Sequence, residues 1–212
     1  MAFHDGTVAG TIANLNDPTG PTPPMYIPVR APRILVILAH PMLHASRVNR
    51  AMAQAARAIP NVTVHDLYET YPDFHIEVAR EQALLKVADL VVFQHPILWY
   101  SMPSLLKEWV DGVLEAGWAH GENGTALQGK SYWLAVTTGS PESAYRESGL
   151  HRLPFDAYLP QYRQTAALCG MHWESPLVLH GAHQIPASHV AAHVSRYGTF
   201  LTNWTLRSQQ PD

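Results

Sequence analysis

The sequence lacks the features of disulfide-rich, membrane-spanning and nucleic-acid-binding proteins. Cys169 is the single cysteine among 212 residues, so no disulfide can form within the chain. The apolar runs are far shorter than the roughly 20 residues that cross a bilayer, and the first residues do not have the pattern of a signal peptide. A net charge of −3 leaves no overall basic footprint for nucleic acid. These absences predict a soluble, cytoplasmic protein of about one domain.

Several motifs that would carry catalysis or ligand binding are also missing. There is no G-x-G-x-x-G dinucleotide fingerprint, no G-x-S-x-G nucleophile elbow and no H-E-x-x-H zinc motif. The thirteen histidines include His180, His183, His189 and His193, which lie close together in the sequence. No cysteine cluster accompanies them, so we interpret them as solvated or packed side chains and predict no metal site.

One segment, residues 124–131, does match the Walker A pattern G-x-x-x-x-G-K-[ST]. A phosphate-binding loop of this kind works between a strand and a helix, because the helix N-terminus helps to hold the phosphates. Here the following segment, residues 132–137, has the apolar pattern of a strand. We therefore interpret the match as coincidental and Lys130 as an ordinary residue at the start of a strand.

The chain divides into three parts by composition. Residues 1–32 are rich in proline, glycine and threonine, which disfavours both helix and central strand and predicts an extended arm. Residues 208–212 form a short tail. Between them, residues 33–207 alternate predicted strands with predicted helices. The strands are expected at residues 34–39, 62–67, 90–94, 132–137 and 176–179, and the helices at residues 47–59, 77–87, 105–114, 154–169 and 188–206.

This alternation predicts an α/β fold with a doubly wound, five-stranded parallel sheet and helices on both faces. Such sheets bind ligands beyond the carboxyl ends of their strands. After the first strand, His40 leads into a loop and Ser46 is placed to cap the next helix. Free amides at this helix N-terminus, with Asn49 and the charge of Arg47, predict an anion or phosphate site. Plain capping by Ser46 is an equally good explanation of this segment alone.

Two further loops follow the third and fourth strands. The first contains Ile97, Leu98, Trp99 and Tyr100 and predicts a stiff apolar wall for a flat ring, or a surface packed against a partner subunit. The second contains Thr137, Thr138, Gly139 and Ser140, where glycine allows the backbone to approach a ligand closely. Tyr145 and His151 come shortly afterwards and could take part in proton transfer, although such residues more often have structural roles.

Taken together and in order, these segments resemble the NAD(P)H:quinone oxidoreductase family from Arg33 to about Trp204. Within it they are similar to small bacterial flavoproteins that are ancillary subunits of glutathione-regulated potassium efflux systems. The matching segments are Ala39-His40-Pro41 with Ser46 and Asn49, Leu67-Tyr68, Tyr71-Pro72-Asp73-Phe74, Glu81-Gln82, Phe93-Gln94-His95-Pro96 with Trp99-Tyr100-Ser101, Leu105-Leu106-Lys107 with Trp109, Gly117-Trp118-Ala119, residues 124–130 and Thr137-Thr138-Gly139.

The resemblance implies a flavodoxin-like homodimer that binds FMN, with FAD as the alternative. It places the flavin phosphate at His40 and at Ser46, Arg47, Val48 and Asn49. The ring would lie along Ile97, Leu98, Trp99 and Tyr100, and along Thr137, Thr138, Gly139 and Ser140. Tyr145 and His151 match a Tyr and a His that mammalian quinone reductases place beside the flavin. Two departures are Ser140, which stands where a second glycine is usual, and the arm of residues 1–32, which the short bacterial members lack.

The activity implied is two-electron, ping-pong transfer of hydride from NAD(P)H through the flavin to a quinone or another small acceptor. An azo- or nitroreductase would differ only in its acceptor. A different class of function is a flavin-binding regulatory subunit that docks on a membrane antiporter. In that case the protein would act at the inner membrane without spanning it.

Overall fold

The structure is a computed structural model that describes residues 31–207. The arm predicted at residues 1–32, apart from its last two residues, and the tail at 208–212 lie outside the described residues. The elements are β1 (Ile34–Leu38), α1 (Arg47–Arg57), β2 (Val62–Asp66), α2 (Leu67–Thr70), α3 (Val78–Val87), β3 (Leu90–Pro96), α4 (Ser104–Val113), β4 (Ser131–Thr137), α5 (Pro160–Leu168), β5 (His172–Trp173), β6 (Leu177–Leu179) and α6 (Ala187–Arg207).

The sheet is parallel with the strand order β2-β1-β3-β4-β5, and β6 also pairs with β4. This is the flavodoxin-like order, and its switch point lies between β1 and β3. The prediction of a doubly wound parallel sheet is confirmed. The register pairs Leu38 with Gln94 and Pro96 with Thr137. These pairs bring the carboxyl ends of the three central strands to one edge.

The central strands are apolar throughout because both of their faces are covered. Side chains of β1 alternate between two cores, with Leu35 and Ile37 on one side and Ile34 and Val36 on the other. The first core packs against α3, α4 and α5, whereas the second packs against α1 and α6. In α1 the residues Val48, Met52 and Ala56 recur every four positions, which places them on one buried face.

The fifth position of the sheet is filled by two short strands, where the sequence predicts a single strand at residues 176–179. The strand β5 pairs with Ser131 and Tyr132 at the start of β4, and β6 pairs with residues 135–137 at its end. Pro176 lies between the two strands and has no amide proton to donate to the ladder. The predicted helix at 154–169 is also divided, into a 3-10 turn at Phe155–Tyr158 and α5.

A buried carboxylate ties the two core helices α3 and α4 to β2. Glu81 has no exposed surface and accepts hydrogen bonds from His65 Nε2 (2.9 Å), Tyr71 Oη (2.5 Å) and Trp109 Nε1 (2.8 Å). Burial raises the pKa of Glu81, but these three donors outweigh it and hold the pKa below the usual range. We call these four residues the Glu81 network.

Candidate functional site

Three loops meet at the carboxyl edge of the sheet, after β1, β3 and β4. They are neighbours because the three strands are neighbours in the sheet. The backbone joins the second loop to the third directly, since the amide of Ile97 donates to the carbonyl of Thr137 at 2.8 Å. The prediction that these segments share one edge is confirmed. Binding at that edge stays a prediction.

The first loop ends at the N-terminus of α1. Ser46 is the N-cap, and its Oγ accepts from the amide of Asn49 at 3.1 Å. The amides of Arg47 and Val48 are the first two of the helix and therefore have no carbonyl partner inside it. The Ser46 hydroxyl proton is free to donate outward, because Oγ uses only its lone pairs in these contacts. The segment thus presents three donors at the positive end of a helix.

His40 stands at the start of the same loop. Its Nδ1 accepts from the amide of Met42 at 3.1 Å, so the proton of the neutral ring is on Nε2. Burial lowers the pKa of His40; a backbone hydrogen bond opposes this, and nearby His183 and His44 lower the pKa further. At neutral pH the ring is therefore an uncharged donor through Nε2.

The side chains of Arg47 and Val48 are engaged elsewhere and are not placed to bind a phosphate at this loop. The guanidinium of Arg47 donates to the carbonyl of Ile185 at 2.7 Å, across the loop that follows β6. The side chain of Val48 is only 2% exposed and lies in the core. Both residues offer their backbone amides to a ligand at the helix N-terminus.

A buried and uncharged network lies below the loops and links the first loop to the ends of β3 and β4. Asn49 Nδ2 donates to Thr137 Oγ1 at 3.0 Å and to Ser46 Oγ at 3.4 Å. Gln94 Nε2 donates to the backbone carbonyl of Asn49 at 2.9 Å, and Gln94 Oε1 accepts from the hydroxyl of Tyr197 at 3.0 Å. We call these five residues the Asn49 network. It holds the first loop, the ends of β3 and β4, and α6 in one arrangement.

The second loop contains a tight turn with an unusual composition. Leu98 and Ser101 exchange both backbone hydrogen bonds, at 2.9 and 3.0 Å. Between them Trp99 and Tyr100 have φ values of 48° and 66°, which is the pattern of a type I′ turn. Glycine and asparagine usually occupy these positions, and the left-handed region costs other residues about 1–3 kcal/mol each. The turn leaves the Trp99 side chain 92% exposed.

The third loop is buried at its base and exposed at its tip. Thr137 and Thr138 are buried, whereas Gly139 is exposed. A Cβ atom at Gly139 would lie 3.5 Å from the His183 ring, an ordinary van der Waals contact, so the backbone of the loop lies next to that ring. The amide of Thr138 is already bonded to the carbonyl of Leu179 at 2.9 Å, and the carbonyl of Ser140 accepts from the Thr138 hydroxyl.

Tyr145 and His151 come together, as the sequence predicts. Their ring centroids are 4.5 Å apart, and His151 also makes an edge contact with Tyr100 at 5.5 Å. Tyr100 in turn stacks on Tyr158 at 5.2 Å. The Nε2 atom of His151 is buried and has no hydrogen-bond partner among residues 31–207. The predicted pair therefore lies beside the second loop, and the Nε2 atom of His151 makes no hydrogen bond to any described residue.

The Walker A match has a structural explanation. The strand β4 follows it, as predicted, and no helix begins there. The Nζ atom of Lys130 donates to the backbone carbonyls of Ala88 (2.5 Å) and Lys86 (3.0 Å) at the C-terminus of α3. Lys130 thus satisfies helix carbonyls that have no partner within the helix.

The residues that the structure describes contain no group of three or more His, Cys, Asp or Glu side chains that could hold a metal ion. Of the clustered histidines, His193 is fully buried on α6, and neither ring nitrogen has a partner in residues 31–207. Burial lowers the pKa of His193 to about 4, with Arg196 adding to the effect. His189 is exposed one turn earlier.

Sequence reasoning missed three residues of this edge. Gln94 is a polar residue at the end of an apolar run, and His180 directly follows the predicted strand at 176–179. The same reasoning that identified His40 could have found both. Tyr197 carries no such signal, because it lies in the middle of α6 and its role depends on tertiary packing.

Comparisons with known proteins agree with this topology. Residues 32–201 match the protein family described by its flavodoxin-like fold. This chain belongs to the flavodoxin-like family. This flavodoxin-like protein is 46% identical over 171 residues to the glutathione-regulated potassium-efflux system ancillary protein KefG of Escherichia coli O1:K1, covering 81% of this chain and 93% of KefG.

Solved structures add two flavodoxin-like neighbours. General stress protein 14 of Treponema denticola, solved in complex with FMN, superposes with a TM-score of 0.74 at 36% identity, covering 84% of this chain and 100% of that one. An NADPH-quinone reductase of P. pentosaceus superposes with a TM-score of 0.73 at 27% identity, covering 81% of this chain and 98% of the other. No helix within residues 31–207 of this flavodoxin-like protein is long and apolar enough to cross a membrane.

Proposed function

We propose that this protein is an FMN-dependent NAD(P)H oxidoreductase that reduces quinones or similar small acceptors. The observation that carries the proposal is the meeting of the α1 N-terminus, the Trp99-Tyr100 turn and the Thr137–Ser140 loop at one edge of the sheet. The FMN complex of the Treponema relative and the NADPH-quinone reductase of P. pentosaceus support the same cofactor and reaction class.

The donors at the first loop fit a phosphate group. The amides of Arg47 and Val48, the hydroxyl of Ser46 and Nε2 of His40 would all donate to its oxygens, and the helix dipole favours the negative charge. His40 is neutral there, so the site relies on hydrogen bonds and not on a strong positive charge. Such a site suits the small phosphate of FMN and needs no glycine-rich dinucleotide loop.

The other two loops fit the flat ring. Apolar side chains of Ile97 and Leu98 and the stiff Trp99-Tyr100 turn would form one wall. The amides of Gly139 and Ser140 are the candidates for polar contacts with the ring edge, since the amide of Thr138 is already occupied. Bound FMN would supply the two-electron redox centre that takes hydride from NAD(P)H and returns it to the acceptor.

Tyr145 and His151 would act on charge and protons beside that ring. Tyr145 is 9% exposed and His151 is half-buried, and both rings lie beside the Trp99-Tyr100 turn through the contact of His151 with Tyr100. The buried, unpartnered Nε2 of His151 is a position from which a proton can be donated or accepted. The Tyr145 hydroxyl is a further donor at the same place.

The test is reconstitution followed by turnover. The full chain purified with FMN should show absorption bands at ~370 and ~450 nm, the mark of an oxidised flavin that can carry the chemistry. It should then oxidise NADPH or NADH rapidly when a simple quinone is present. Protein that takes up neither FMN nor FAD would overturn the cofactor. Flavin-loaded protein without turnover would overturn the enzyme function.

A second function is favoured by the 46% identity to the ancillary protein KefG over nearly its whole length. In this case the protein docks, peripherally at the inner membrane, on a potassium efflux antiporter and regulates it. The two functions differ in turnover with a quinone and in co-purification with a transporter. If an azo- or nitro-compound is reduced faster than any quinone, only the acceptor in the proposal changes.

We also infer that the protein is a homodimer. Large apolar side chains are exposed beside the proposed site, and they would be covered by a second subunit. They are Leu98, Trp99, Tyr100, Leu150 and Leu153. Sedimentation equilibrium of the full chain should give twice the monomer mass of 23.5 kDa. The domain limits at residues 33–207 and the role of the arm at residues 1–32 stay predictions.

A further inference from the structure

We propose that His180 is a positioning residue that sets the orientation of Tyr145 in the active site. The inference rests on the proposed function for its catalytic consequence. It concerns a residue at the carboxyl end of β6, one strand away from the three loops described above. No hydrogen bond fixes the Tyr145 side chain among residues 31–207, so its orientation depends on the rings packed around it.

His180 is itself held in one orientation. Its Nδ1 lies 3.0 Å from Thr138 Oγ1, and the Thr138 hydroxyl donates its single proton to the carbonyl of Ser140 at 2.8 Å. Because that proton is already used, His180 must donate from Nδ1, and its Nε2 carries the lone pair. The contact fixes both the rotation of the imidazole and its tautomer.

The oriented ring then packs against Tyr145. The centroids of His180 and Tyr145 are 5.0 Å apart, and an edge contact with Phe155 at 5.0 Å holds His180 from another direction. His151 contacts Tyr145 at 4.5 Å, and Phe155 and Tyr158 meet the tyrosine ring edge-on at 5.4 and 6.0 Å. Of these four rings, His180 is the one that a hydrogen bond ties to the third loop. The chain of contacts runs from the Thr138–Ser140 segment of the third loop, through His180, to the hydroxyl-bearing ring.

Charge does not disturb this arrangement at neutral pH. Burial lowers the pKa of His180, and the nearby Glu142 only partly opposes this. A neutral His180 supplies shape and one hydrogen bond without placing a positive charge against Tyr145. His180 is therefore distinct from His151, whose buried Nε2 is unpartnered among the described residues.

The first test reads the tautomer by NMR and needs no turnover. In the full chain labelled with 15N-histidine, His180 is assigned as the signal that disappears in His180→Asn. We expect the Nδ1-protonated tautomer, and we expect Thr138→Val to move it toward the Nε2-protonated form. With 13C-labelled tyrosine, His180→Ala should shift the Tyr145 ring signals, whereas His189→Ala should not. An Nε2-protonated His180 in the unmodified protein, or unmoved Tyr145 signals in His180→Ala, would refute the proposal.

The second test measures flavin reduction by NAD(P)H in a double-mutant cycle. His180→Ala should slow reduction about 10-fold with flavin affinity unchanged, while His180→Asn, which keeps a donor near Nδ1, should recover to within about threefold of the unmodified protein. In a Tyr145→Phe background, His180→Ala should slow flavin reduction by less than about twofold, because the hydroxyl that His180 positions is absent.

The outcomes separate the two proposals. Equal losses from His180→Ala in both backgrounds would show that His180 acts independently of Tyr145 and would overturn the positioning role. An unmodified protein that binds flavin but is not reduced by NAD(P)H would overturn the proposed function. In that case the NMR test still decides whether His180 orients Tyr145.

Discussion

Two buried polar networks differ in charge and in what they connect. The Glu81 network surrounds an ionised carboxylate with three donors and is closed on all sides by protein. The Asn49 network contains no charged group and ends at Ser46, where the helix amides remain open to a ligand. The first joins β2 to α3 and α4, on the face of the sheet opposite α1 and α6. The second joins the first loop to the ends of β3 and β4 and to α6.

The difference indicates a division of roles. A buried carboxylate is costly to leave unpaired, so the Glu81 network makes the packing of one face of the sheet strongly dependent on a single residue. An amide network is cheaper to break but more directional, because each donor and acceptor fixes one neighbour. We therefore expect substitutions in the first network to act on stability and substitutions in the second to act mainly on cofactor binding.

The largest effect is expected from Glu81→Ala. Three donors would lose their acceptor in the core, and the free energy of unfolding should fall by about 3–5 kcal/mol, as for other broken buried pairs. Urea unfolding of the flavin-free protein measures this change. The matched control is Glu108→Ala on the exposed side of α4, which should change stability by less than about 0.5 kcal/mol. Comparable losses in both variants would contradict the role of the network.

A smaller loss of stability but a larger loss of flavin affinity is expected from Asn49→Ala. The change leaves the buried Thr137 Oγ1 without its Asn49 donor, whereas Gln94 keeps the backbone carbonyl of residue 49. The unpaired hydroxyl should cost about 2 kcal/mol of stability. The substitution also loosens the first loop. The Kd for FMN should therefore rise at least about tenfold, which a fluorescence titration measures. Asn203→Ala, on the exposed face of α6, is the control. Unchanged FMN affinity in Asn49→Ala would show that the network does not position the phosphate loop.

The pH dependence of the free energy of unfolding should distinguish the two networks further. Because the pKa of Glu81 is held below its ordinary value of 4.5, its charged form contributes stability above that pH, and the contribution is lost as the pH falls through the folded value. The stability difference between the unmodified protein and Glu81→Gln should therefore narrow below pH 4.5. Unfolding curves at a series of pH values measure it. A difference that stays constant would mean that Glu81 is not ionised in the folded protein.

The smallest effect is expected from Tyr197→Phe. Only one neutral hydrogen bond to Gln94 is lost, so stability should fall by about 1 kcal/mol. Nothing in this contact titrates in acid, since burial raises the pKa of Tyr197, and the loss should be the same at pH 7 and pH 4. Urea unfolding at both pH values provides the measurement, and a strong pH dependence would be inconsistent with an uncharged network.

Much of the fold and the location of the site follow from local sequence patterns. Apolar runs such as residues 34–38 and 90–93 predict buried parallel strands, and the parallel order alone brings their ends together. Ser46 is found by its position just before a helix. The loops that contain Trp99 and Gly139 are found because they follow strands.

The rest depends on contacts between residues that are far apart in the chain. The short strand β5 has only two residues, too few for a periodic pattern, and it forms because Ser131 and Tyr132 offer partners. The positive φ values of Trp99 and Tyr100 contradict local preference, and the turn is closed by the paired Leu98 and Ser101. The aromatic packing around Tyr145 combines rings from residues 151–158 with that of His180, which lies much farther along the chain.

The hydrogen bond between Tyr197 and Gln94 spans 103 residues and has a consequence for biosynthesis. As the chain leaves the ribosome, β1, β3 and β4 can pair long before α6 has been made. The Asn49 network below the first loop, however, is complete only when Tyr197 reaches Gln94. Under the proposed function, cofactor loading is therefore expected to wait until synthesis of the last helix. A nascent chain that stops before residue 197 should leave one face of its sheet uncovered and bind FMN poorly.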